Sequence, residues 1–184
     1  MRPPIRPYLQ GELEALCGIY AIINALRALC QEIDQRMARA LFARLARRLA
    51  TRHPGSVAHG MDGGLLRVLL ASARRFVRDE LGIIILAEDL KLATGASLSH
   101  LWEALAQELH SGAVAIVTTE GRHDHWTVLR LLDSSRRRFL RQSHCTVVET
   151  KTKYHLLTDE IILLRRASDW GRSVRRRRKR RHRE

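Results

Sequence analysis

The stretch Gln10-Gly-Glu-Leu-Glu-Ala-Leu-Cys17-Gly-Ile-Tyr-Ala-Ile-Ile-Asn24-Ala-Leu26 sets a thiol at the start of an apolar run, and Asp124-His125-Trp126-Thr-Val opens a second such run far downstream. Beyond Cys17 the apolar residues Ile19, Ile22, Ile23, Leu26 and Leu29 recur at helical spacing, so the sulfur is expected at a helix N-terminus. Backbone amides and the helix dipole favour a thiolate there. His125 is remote in sequence, as expected when a nucleophile and its base meet only in the fold.

With those residues the chain resembles a papain-like cysteine peptidase, of the compact bacterial kind related to peptidases that trim bacteriocin leader peptides. The resemblance covers roughly residues 8 to 165, and its specific motifs are the Gln, Cys and His patches. It implies that Gln10 supplies a side-chain amide to an oxyanion hole, that Cys17-Gly18 opens the nucleophile helix, and that His125-Trp126 begins a core strand. In that superfamily an Asp or Asn on the next strand orients the imidazole. This chain departs from the pattern there. Asp133 lies eight residues of strand from His125, about 26 Å away and at the wrong end. Reflection through the turn at 133–135 brings 142–144 opposite His125, and Gln142-Ser143-His144 stands there, which makes Gln142 the candidate orienter. An amide can hold the imidazole tautomer, but it stabilises an imidazolium less than a carboxylate does. The Gln10–Cys17 spacing, seven residues, is one more than is usual for the plant enzymes.

Taken singly, a Cys in an apolar helix is more often a small buried hydrophobe, and one His on a strand is usually structural. The functional reading rests on their conjunction. Coarse periodicity predicts helices at about 17–30, 34–50, 65–77 and 98–109, the last capped by Ser97 or Ser99, with a turn-rich loop over 53–64. Strands are expected at 82–86, 113–119, 125–132, 137–142 and 160–165. The fold class is therefore α+β: an N-terminal helical lobe whose nucleophile helix packs against a C-terminal antiparallel sheet.

At 184 residues and 45% hydrophobic content the chain can bury a real core, and residues 1–170 read as one peptidase domain. Its three cysteines, Cys17, Cys30 and Cys145, show no CxxC spacing, which argues against a disulfide framework and for a reducing compartment. No signal core and no run of about 18 apolar residues is present, so the expectation is a soluble, cytoplasmic, bacterial protein with no membrane span and no cofactor. Two imidazoles at His123-x-His125 facing His144-Cys145 compose a rival metal reading, which is weaker because the thiol reading already uses the hairpin.

The formal net charge is +14, and the segment 172–184 holds nine Lys or Arg against one Glu, or +8 of it. Residues 171–184, with Arg175, Arg176, Arg177, Arg178, Lys179, Arg180 and Arg181 at their centre, read as a disordered tail that binds nucleic acid or another polyanion. Arg36, Arg39, Arg44, Arg47, Arg48 and Arg52 add charge to the second helix. Two functions follow: a thiol hydrolase that cleaves a peptide or amide bond, or a catalytically weak papain-like binding module associated with nucleic acid through its tail.

Overall fold

The structure, a computed structural model, describes residues 15–92, 97–120, 125–133, 138–141, 146–148, 155–156 and 160–168. At 119–120, 125, 131–133 and the strands between 138 and 156 it describes the backbone alone. Five helices and seven strands are present among these residues, in the order α1 (Cys17–Leu29), α2 (Gln35–Arg52), α3 (Gly55–His59), α4 (Gly63–Leu81), β1 (Ile85–Asp89), α5 (Leu98–His110), β2 (Val114–Glu120), β3 (His125–Asp133), β4 (Arg138–Arg141), β5 (Thr146–Val148), β6 (His155–Leu156) and β7 (Ile162–Arg166). The fold is α+β.

Local chemistry starts and stops the helices where they are found. Asp34, Asp62 and Ser97 each accept a hydrogen bond from a backbone N–H three residues on, capping α2, α4 and α5. At the other end of α4, Gly82 adopts φ +67°, the left-handed turn that ends a helix without a Cβ clash. The expected strand at 82–86 therefore starts later, at Ile85. The loop predicted over 53–64 contains the one-turn helix α3, too short for periodicity to reveal.

One antiparallel sheet runs in the order β1-β7-β2-β3-β4-β5, with β6 also paired to β2. Strand alternation gives it two apolar faces. Val114, Ile116, Trp126, Val128, Ile162 and Leu164 pack under the helical layer of α1, α2 and α4. Ala115, Val117, Leu129, Ile161 and Leu163 pack against α5 through Leu101, Trp102, Leu105 and Leu109. Helix α5 thus covers the far side of the sheet. The expected separation of helices in the first half from strands in the second gives way to a sheet flanked on both faces.

Helix α1 lies at the centre. Nine of its thirteen residues are buried, and its packing is most extensive on β3. Helix α2 covers its outer side, with the Tyr20 and Phe42 rings 5.4 Å apart. Two polar contacts tie α4 to β1: Arg74 Nε donates to the Ile85 carbonyl at 2.7 Å, and Arg67 pairs with Asp89 at 2.7 Å.

The hairpin register differs from a plain reflection. Turning at 133–135 would set Leu129 against Phe139, whereas Leu129 faces Arg141: the pair nearest the turn is Asp133 with Arg138, which centres the reversal later, and the bulge between Leu131 and Asp133 takes back one residue of that shift. Asp133 is at the end of β3 away from His125, as the strand length requires.

Candidate active site

Cys17 is the first residue of α1, and the residue before it, Leu16, gives the helix no side-chain cap. The first N–H groups of an uncapped helix need other partners. The backbone N–H groups of Trp126, Gly18 and Cys17 lie near enough to the sulfur to favour its charged form. Of these, Trp126 belongs to β3 and immediately follows His125. The N-terminal ends of α1 and β3 therefore meet.

Two opposed effects act on the thiol. Burial, the larger, pushes its pKa up, because a thiolate 7% exposed loses most of its hydration; the three backbone N–H groups pull it down. The helix terminus acts in the expected direction, but among the described groups desolvation outweighs it. Lowering the thiol into the reactive range then requires a cation beside it, which is the role an imidazolium fills.

The wall around the thiol is closely built. A Cβ on Gly18 would lie 2.5 Å from Met61 Sδ and 2.8 Å from Leu66 Cδ1, so the side chain of the 60–62 turn rests directly on the helix start. Trp126 locks the same turn from the sheet side, its indole Nε1–H donating to the Met61 carbonyl at 2.8 Å. The segment before Cys17 is held too, since the Ala15 N–H donates to the Val57 carbonyl at 3.1 Å. Thr118, paired with Trp126 across β2 and β3, donates from Oγ1 to Glu160 Oε2 at 2.8 Å. Glu160 Oε1 in turn lies 3.0 Å from where a Cβ of Gly63 would stand, at the N-terminus of α4, where a carboxylate is favoured.

Met61, Thr118 and Glu160 escaped the sequence reading, which took Trp126 only as the second residue of a core strand. The signal for the turn was Asp62-Gly63-Gly64, a cap followed by two residues without side chains. For Thr118 and Glu160, 42 residues apart, no local pattern exists.

His125 takes its place by backbone register, opposite Thr119 at the last rung of the β2–β3 ladder. Its parity is that of Thr127 and Leu129, while Trp126 and Val128 belong to the α1 face. Gln10 and Gln142 lie outside the described residues, as do His123, His144 and Cys145 of the metal reading and the whole of 171–184. Among the described residues no cluster of three His, Cys, Asp or Glu could hold a metal ion, and no helix is long and apolar enough to cross a membrane. Comparison with protein-family models, curated proteins and solved structures found nothing that matches this chain.

Proposed function

We propose that this protein is a thiol hydrolase of papain-like type that cleaves a peptide or amide bond. The observation that carries the reading is the seating of Cys17 Sγ at the N-terminus of α1, against the backbone N–H of the residue that follows His125. In this mechanism His125 takes the thiol proton and the Cys17 thiolate attacks the carbonyl carbon. His125 then gives that proton to the leaving amine as the C–N bond breaks, leaving a thioester. Water, deprotonated by His125, releases the acid and restores the thiol. The Cys17 N–H and the Gln10 amide hold the oxyanion, each donor contributing about 3 kcal/mol. Gln142 orients the imidazole.

The burial that raises the thiol favours a second reading, a papain-like frame retained for binding, and so does register, since His125 shares the parity of Thr127 and Leu129 while Cys17 packs on the face of Trp126 and Val128. One measurement separates them: the rate of Cys17 alkylation by iodoacetamide against pH, read by mass spectrometry, in the wild type and in His125→Ala. Fast labelling below about pH 7 that slows in the variant supports the ion pair. Labelling that rises only above about pH 8, alike in both proteins, sinks the hydrolase and leaves binding.

A further inference from the structure

Among the described residues, helix α2 presents a face of a single charge that takes part in no ion pair. Its buried stripe, Ala38, Leu41, Leu45 and Leu49, is used up in the core. The exposed arc carries Arg36, Arg39, Arg44, Arg47, Arg48 and Arg52, and no Asp or Glu occurs between Gln35 and Arg52. The arginine ion pairs among the described residues involve Arg67, Arg78, Arg165 and Arg166, none of them on α2. The pairs Arg44–Arg47, Arg44–Arg48 and Arg48–Arg52 stand three or four residues apart, the spacing at which like charges repel along a helix, so the row opposes its own folding.

At 1.5 Å per residue the guanidiniums from Arg36 to Arg52 extend over about 24 Å, and at 100° per residue Arg36, Arg44, Arg47 and Arg48 fall within roughly 120° of arc. We propose that this face of α2 docks on the phosphate backbone of duplex nucleic acid, without reading its sequence. A duplex carries a charge about every 1.7 Å of axis, and forked guanidiniums match phosphate oxygens as no other side chain does. An anionic membrane is a poorer fit. A helix lying in a bilayer surface inserts an apolar face, and the exposed positions between these arginines hold only Ala40, Ala43, Ala50 and Thr51. A single strand fits poorly too, because stacking needs an exposed aromatic and Phe42, the one aromatic of α2, is packed on Tyr20. The surface uses none of the residues assigned to Cys17 chemistry.

The test uses the full chain carrying Arg36→Gln, Arg44→Gln, Arg47→Gln and Arg48→Gln, and a labelled DNA duplex of about two helical turns, followed by fluorescence anisotropy between about 50 and about 200 mM salt. Affinity should fall at least about tenfold, and the slope of log K on log salt should flatten by about 3, with the melting temperature unchanged. Lysine at the same four positions should keep the slope, which separates surface charge from any loss of fold. Wild-type affinity and slope in the glutamine chain would overturn the proposal. So would an equal loss of binding to phosphatidylserine vesicles that the parent chain holds as tightly as the duplex.

Discussion

Cys17 and Gly18 act as a unit, the one needing backbone donors around its sulfur and the other needing space for Met61 to close over them. Gly18→Ala places a methyl 2.5 Å from Met61 Sδ and 2.8 Å from Leu66 Cδ1. Overpacking of that kind should cost about 1–3 kcal/mol, read as a lower melting temperature. It should also speed Cys17 alkylation, since the turn that rests on the start of α1 is pushed away. Cys30 is a useful contrast, being fully buried at the end of α1 and beside no proposed base. Burial lifts its thiol from 9.0 to about 11, with Glu32 adding to the rise and Arg166 opposing it. The unfolded chain gives up this proton near 9 while the folded chain keeps it to about 11, so the contribution to stability is complete below 9 and disappears as pH rises through 11. Urea midpoints measured across that range should fall less steeply in Cys30→Ala than in the wild type.

Each helix owes its position to a few local residues and its stability to one face. Asp62 caps the helix whose first turn carries Gly63 against Glu160, and Asp34 caps the arginine-rich α2. Asp34→Ala and Asp62→Ala should each cost about 1 kcal/mol in chemical denaturation. Only Asp62→Ala should alter Cys17 labelling, because Met61 and the Trp126 contact lie next to that cap. The Ser97 cap and the 3.6-residue stripes were legible in the chain, which is why α1, α2 and α5 fall within two residues of expectation, whereas α4, expected over 65–77, runs from Gly63 after the Asp62 cap to Leu81. Ile83 and Ile84 misled the reading of β1. They are apolar enough to look like strand, but Gly82 has only just ended α4, and pairing with β7 begins at Ile85 opposite Arg166.

Across the whole molecule, one buried charge network joins elements that are distant in sequence. Arg165 of β7, with its side chain 3% exposed, donates to Glu108 and Ser111 at the end of α5 and stands 3.8 Å from Glu88 of β1. It pins α5 to the face of the sheet opposite α1. Removing one partner strands a buried charge, so Glu108→Ala should cost about 3–5 kcal/mol, whereas Glu108→Leu with Arg165→Met should cost far less, as judged by thermal and urea unfolding of both chains. Helix periodicity, the Ser97 cap, and the placement of Cys17 at a helix start and of His125 at a strand start were determined by the sequence alone, because each depends on residues within a few positions of one another. Only the tertiary structure decided that α5 crosses to the far face, that Leu129 faces Arg141, that the Trp126 N–H comes near the thiol, that Met61 rests on Gly18, and that Glu160 joins Thr118 to the start of α4. Those outcomes depend on strand pairing and burial between segments tens of residues apart, where the free energy belongs to the assembled core and no local stretch of chain carries its signature.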